Sequence, residues 1–247
     1  GYIFNKKIFN NFIISINEIS IKGKEYKDSY ENKKFLKNLN KKSVAVVGPA
    51  ATGNKYASEI DSFDVVVRLN YTHSGKNLDT QEKGTKIDLS YFNGEQIDNI
   101  IENNHCKLPN DLKMACIKDN NLERLKKLTK ANPKITFKKI ENYNILNFYS
   151  SYNLLPLTLL DLLESNVKVI KIFHTDLFLT IKRDAGYKKK LSNLEFVQTF
   201  LQHDPLTQFK FIKRLYLNKK IIGDRKFEQV MKLSNYEYLN RLQESYK

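Results

Sequence analysis

From residue 44 onward, short β-branched runs alternate with polar segments of helix length, the rhythm of alternating β and α elements. The pattern predicts strands at Val44–Val47, Val65–Leu69, Ile87–Phe92, Lys113–Ile117, Ile135–Lys138 and Val167–Phe173. Between them it predicts helices at Gln96–Asn103, Leu122–Ala131 and Leu154–Ser165, the last with an apolar stripe from Leu154 through Leu163. Ser150, Ser151 and Asn153 stand in front of that helix and are good N-cap types. After Phe173 the pattern turns helical and irregular, with Phe196–Leu201, Pro205–Asn218 and Phe227–Tyr246 as the expected helices. Residues 1–42 mix short apolar clusters with Lys and Asn and read as a helical or linker extension. The expectation is one α/β domain over residues 43–247, built on a Rossmann-like, mostly parallel sheet flanked by helices.

Composition adds boundaries to this picture. A chain of 247 residues that is 41% hydrophobic can bury a full core. Its longest apolar clusters, around Ile13 and between Leu154 and Leu163, fall short of the ~20 residues a membrane helix needs, which predicts a soluble protein. Cys106 and Cys116 are too few for a disulfide framework and have no metal-like pair spacing, so a reducing cytoplasm fits best. The formal charge of +15 favours an anionic partner: nucleic acid, phospholipid or a phosphorylated substrate. Lys, Asn and Ile are abundant throughout, as AT-rich coding produces, so many of these lysines belong to a solvated face.

The first strand stops at a turn that contains Gly48, Ala50, Thr52 and Gly53, the position where open α/β sheets bind nucleotides. Gly48 to Lys55 is close to a P-loop, but the lysine comes one residue late and Tyr56 replaces the magnesium-holding Ser or Thr. Two glycines flanking a Thr suggest that a ligand approaches the backbone. Arg68 and Asn70, two apart at the end of the next strand, share a face on which they can read a base edge, a ribose or a phosphate. A plain alternative is an Arg68 pairing with Asp61 or Asp64. Of the four histidines, His203 precedes a helix opened by Pro205 and has Asp204 beside it. His174 follows an apolar strand; either is placed to act as a general base. The chain has no Asp-x-Asp triplet and no His and Cys cluster of ligand spacing, so no metal and no cofactor is expected. A leaving phosphate would then be stabilised by amides, hydroxyls and basic groups, for which Ser150 and Ser151 at a helix start are suited.

The order Val46-Val47-Gly48, Gly53, Ile60-Asp61-Ser62, Asp64, Arg68, Asn70 and Gly84-Thr85-Lys86 with Asp88 resembles the large sialylmotif of the eukaryotic-type sialyltransferases. The stretch from Ser150 through Leu160 resembles the small sialylmotif with a degraded Ser-Thr-Gly core, and His203-Asp204 is similar to the last, histidine-bearing motif. The resemblance covers roughly residues 43–210. It implies a GT-A-like sialyltransferase variant of the fold and a metal-independent, inverting transfer of an ulosonic acid, sialic acid or Kdo, from a CMP-sugar donor. It implies further that Gly48, Ala50, Thr52, Gly53 and Asn70 hold the cytidine monophosphate, with Arg68 and Asp204 beside them. Ser150 and Ser151 would meet the phosphate or sugar carboxylate, and His203 would be the base. The family's disulfide between the large and small motifs has no counterpart, and Gln208 stands where an acidic residue usually follows the histidine. The missing disulfide points to a bacterial, cytoplasmic relative whose acceptor is a glycan or glycolipid of capsule or lipopolysaccharide, with the basic surface touching anionic membrane from the inner side, while the change at Gln208 bears on the geometry around the histidine.

A second class remains open: a basic nucleic-acid-binding protein, motivated by the charge and by 14 Tyr and 15 Phe that can stack on bases. It calls for a contiguous Lys and Arg stripe, whereas the basic residues are scattered, and the transferase reading expects no nucleic acid.

Overall fold

A computed structural model describes residues 37–71, 80–118, 122–140, 153–180 and 203–245. The elements run β1 (Ser43–Val47), α1 (Ala57–Asp61), β2 (Val65–Leu69), α2 (Thr80–Lys83), β3 (Leu89–Phe92), α3 (Gly94–Asn103), β4 (Met114–Ile117) and α4 (Leu122–Ala131). They continue with β5 (Thr136–Lys139), α5 (Leu154–Glu164), β6 (Val169–Phe173), α6 (Pro205–Leu217), β7 (Ile222–Gly223), α7 (Arg225–Met231) and α8 (Asn235–Ser245). The strands form one 7-stranded sheet in the order β5-β4-β3-β2-β1-β6-β7. Every pairing is parallel, as alternating β and α elements require.

Strand alternation sorts the core into layers. Val44 and Val46 of β1, Val65 and Val67 of β2, and Ile170 and Ile172 of β6 face a cluster that includes Leu155 and Leu159 of α5, Phe209 of α6 and Tyr238 of α8. On the other face, Ala45, Val47, Val66 and Phe173 pack with Ile60 of α1. Farther along, Phe92, Ala115, Ile117 and Phe137 pack with Ile97 and Ile100 of α3 and Leu128 of α4. The result is a sheet covered on both sides. Ahead of β1, Leu39 is buried in the first of these clusters.

Three register neighbours at the β3-β4-β5 side, Tyr91, Cys116 and Lys138, surround the carboxylate of Asp161 from α5. Tyr91 Oη donates to Asp161 Oδ2 at 2.7 Å, Lys138 Nζ pairs with Oδ1, and Cys116 Sγ lies 4.0 Å from Oδ2. Burial and the Asp161 charge push the Tyr91 and Cys116 protons on more tightly, well above their ordinary values. Burial works against the Lys138 charge, but the carboxylate overcomes it and leaves the ammonium above its ordinary value. This network ties α5 to the sheet.

Several boundaries differ from the sequence expectation. β3 begins at Leu89; at Asp88 the backbone N still donates to Val66 O at 2.9 Å, but it is the carboxylate that accepts from Val66 N, also at 2.9 Å. The single helix expected over Phe227–Tyr246 is two, because Ser234 and Glu237 form a capping box that starts α8 anew. Ser234 N donates to Glu237 Oε2 at 2.7 Å and Glu237 N donates to Ser234 Oγ at 3.2 Å. The expected helix Phe196–Leu201 and almost all of the 1–42 extension lie outside the described residues. Among the described residues, no helix is long and apolar enough to cross a membrane.

Candidate active site

The chain leaves β1 toward β2 on one side of the sheet, while β6 lies on the other side of β1. The crevice outside the carboxyl ends of β1 and β6 is therefore the topological switch point, where open α/β sheets bind ligands. Two loops meet there. Gly48 N donates to Phe173 O at 2.8 Å and Ala50 N to His174 O at 3.1 Å, pinning the loop after β1 to the loop after β6. Gly48 is a glycine because a Cβ there would lie 2.2 Å from Thr175 Oγ1 and 2.5 Å from His174 O. Its close approach is thus to protein rather than to a ligand. Gly53 differs: its φ is +72° and a Cβ would meet nothing within 4 Å, so it faces open space. Among the described residues, the amides of residues 51–55 donate no hydrogen bond, while Ala50 N and Tyr56 N on either side are both satisfied internally.

A third segment closes the base of this loop. Tyr56 N donates to Glu82 O at 3.0 Å, and the fully buried Lys83 of α2 places its ammonium 3.1 Å from Gly48 O. The sequence reading missed Lys83, which no local pattern separates from the surface lysines around it. His174 joins all three segments, with a buried ring and a φ of 50°. Its Nδ1 is 2.8 Å from Thr52 Oγ1 and its Nε2 is 3.1 Å from Glu82 O. Its backbone N donates to Asp224 Oδ2 at 2.8 Å, while Asp224 Oδ1 caps α7 through Phe227 N. Burial holds the Asp224 carboxyl above its ordinary value against the pull of these amides. With both ring nitrogens engaged inside the protein, His174 is placed to position Thr52 and the loop; as a general base it has no face toward a substrate.

Arg68 is 3% exposed, and its guanidinium donates to the carbonyls of Lys83, Gly84 and Lys86 at 2.8–3.1 Å. These bonds buttress the α2 turn. Asn70 leaves the strand with a φ of 53°, so it does not share a face with Arg68. Its Oδ1 accepts from Asn93 N at 3.0 Å, and Asn93 caps α3 by accepting from Gln96 N. Asn93 was also missed, although an Asn between an apolar strand and a Gly-Glu-Gln helix start is a legible cap.

The remaining motif residues hold one another. Asp61 accepts from Thr85 N and Lys86 N, and Gly84 passes so close that a Cβ would sit 2.3 Å from the Asp61 carboxylate. Asp64 accepts from Ser43 N and Ser43 Oγ, both at 2.8 Å, which holds its carboxyl below the ordinary value.

His203 and Asp204 stand at the start of α6. The Asp204 carboxylate is engaged in capping that helix, accepting from Thr207 N at 3.1 Å and from Thr207 Oγ1. Gln208 is buried and bridges two elements: its Oε1 accepts from Asn153 N at 3.0 Å and its Nε2 donates to His203 O. Half-buried His203 is thereby held beside the start of α5. Ser150 and Ser151 lie outside the described residues. Among the described residues, no group of three His, Cys, Asp or Glu side chains is arranged to hold a metal ion.

No family model and no curated protein matches the chain. Among solved structures it is similar to the sialyltransferase CstII from Campylobacter jejuni in complex with cytidine-5'-monophosphate, at 15% identity over 74% of this chain and 79% of that one, with a TM-score of 0.45. It is also similar to the monofunctional α-2,3-sialyltransferase Cst-I from Campylobacter jejuni, at 15% identity over 79% of this chain and 81% of that one, with a TM-score of 0.46.

Proposed function

We propose that this chain is a glycosyltransferase that moves an ulosonic acid, sialic acid or Kdo, from a cytidine monophosphate donor to a hydroxyl of a glycan acceptor. One observation carries the reading. The residues that resemble the large sialylmotif form a mutually bonded scaffold, Asp61 with Gly84-Thr85-Lys86 and Arg68 with the same turn, against the loop at the switch point of the sheet. That loop offers the amides of residues 51–55 to the nucleotide phosphate.

In the proposed reaction, His203 takes the proton of the acceptor hydroxyl as its oxygen bonds to the anomeric carbon. The bond from that carbon to the donor phosphate breaks, CMP leaves with the electron pair, and the anomeric centre inverts. Charge growing on the phosphate is met by preorganised amides, with no metal called for. An acceptor in capsule or lipopolysaccharide, reached at the cytoplasmic side of an anionic membrane, would suit the basic surface.

The test is a calorimetric titration with cytidine, uridine and adenosine monophosphates, followed by turnover of the His203→Ala variant. The expected result is selective binding of the cytidine nucleotide, with turnover lowered roughly 10²–10⁴-fold by the substitution and CMP affinity retained. Equal binding of all three nucleotides would overturn the reading, and unchanged turnover would remove His203 as the base.

A further inference from the structure

The partners of the two His174 ring nitrogens are unlike in kind. Glu82 O is a carbonyl and can only accept, so Nε2 carries a hydrogen and donates it at 3.1 Å. A neutral ring with its hydrogen on Nε2 presents a lone pair at Nδ1, 2.8 Å from Thr52 Oγ1. The Thr52 hydroxyl must then give its own hydrogen to the ring, and what it shows to any other group is its two lone pairs. Thr52 is half-buried, next to exposed Gly53, in the loop whose 51–55 amides make no internal bond among the described residues. The amides are donors suited to an anion, whereas the one hydroxyl among them is turned into an acceptor.

We infer that His174 fixes Thr52 as a hydrogen-bond acceptor in the nucleotide site, so that the ligand group seated on Thr52 is a neutral donor, a ribose hydroxyl, and the phosphate is left to the backbone amides. This rests on the reading that the loop binds a cytidine nucleotide and adds which part of the nucleotide each element recognises. A phosphate oxygen at Thr52 would set acceptor against acceptor, which leaves both without a hydrogen. His174 is thus a positioning residue that acts through Thr52. The exocyclic amine of cytosine is the other neutral donor a nucleotide could bring to the same place.

The experiment combines two measurements on the full chain. Long-range nitrogen–proton spectra of the imidazoles should show His174 as the Nε2–H tautomer; an Nδ1–H tautomer overturns the inference whatever the chain binds. Calorimetric titrations then compare CMP with its 2′-deoxy and 3′-deoxy analogues and with uridine monophosphate, on the unaltered chain, Thr52→Val and Thr52→Ser. One deoxy analogue should bind about ten-fold more weakly than CMP to the unaltered chain and to Thr52→Ser, as the loss of one net hydrogen bond predicts. Thr52→Val should bind CMP at that lower level and not distinguish the analogue further. If that interaction is instead lost with uridine monophosphate, or if Thr52→Val weakens CMP but leaves cytidine unchanged, the ribose assignment is overturned. A chain that binds no CMP at all overturns the functional reading and this inference with it, a failure distinct from CMP binding that is indifferent to Thr52.

Discussion

Two buried polar clusters sit on the same sheet, and they are built on opposite principles. Around Asp161 the bonds run from side chain to side chain, and the carboxylate is enclosed between β3, β4, β5 and α5. Around His174 they run mostly from side chain to backbone, tying Thr52, the Glu82 carbonyl and Asp224 together at strand ends that adjoin exposed Gly53. The first cluster spends its polarity on itself and fixes where α5 lies. The second fixes a loop whose own amides remain available. Buried polarity alone therefore does not mark a site; what separates the two is whether the satisfied groups border unsatisfied backbone at the carboxyl edge of the sheet.

The sharpest way to break this comparison is Asp161→Ala. It leaves the Lys138 ammonium and the Tyr91 hydroxyl buried without their shared carboxylate, a loss of about 3–5 kcal/mol by analogy with breaking buried ion pairs. Urea unfolding should show that loss. A variant within about 1 kcal/mol of the parent would mean that the cluster is hydrated and not the closed network described.

The same network should make the protein sensitive to alkali. Tyr91, Cys116 and Lys138 all hold their protons more tightly when folded than when unfolded. Their contribution is thus fully present below the unfolded values, 9.0 for the thiol, 10.0 for the phenol and 10.5 for the ammonium. It is lost as pH rises from there toward the folded values, by about 1.4 kcal/mol per pH unit for each proton retained. Urea midpoints measured across this window should fall steeply with pH, and Cys116→Ala should flatten the part that begins at 9.0. A flat profile in the parent chain would contradict the burial of Tyr91 and Cys116 and the pairing of Lys138 with Asp161.

The legibility of the sequence follows the same division. Alternation of β-branched runs located β2 at Val65–Leu69 and the core of β1, because those patterns are set by burial on both faces of the sheet. The Ser234 and Glu237 capping box that splits the last helix is a local pattern that could have been read. The loop of Gly48, Ala50, Thr52 and Gly53 and its meeting with His174 at the strand ends were also within reach, since element order places them at one edge. What local pattern could not supply was direction. Nothing near Arg68 says that its guanidinium turns to three carbonyls, nothing near Lys83 says that it is buried under Gly48, and nothing near His174 says that both ring nitrogens are engaged. These depend on which segments the sheet brings together.

The two glycines of the loop offer the finest test, because they are required for different reasons. An alanine at Gly48 would drive its Cβ to 2.5 Å from the His174 carbonyl, and a backbone atom cannot swing aside as a side chain can. Gly48→Ala should therefore cost about 1–3 kcal/mol, as overpacking does, and should weaken nucleotide binding by parting the β1 and β6 loops. An alanine at Gly53 meets no atom and bears only the left-handed backbone, a cost of about 1 kcal/mol, with its Cβ projecting into the open side of the loop. If that open side receives the nucleotide, Gly53→Ala should lower CMP affinity more than it lowers stability, whereas Gly48→Ala should lower both together. Paired urea and calorimetric titrations separate the two, and a Gly53→Ala chain that binds CMP as the parent does would place the ligand on another face of the loop.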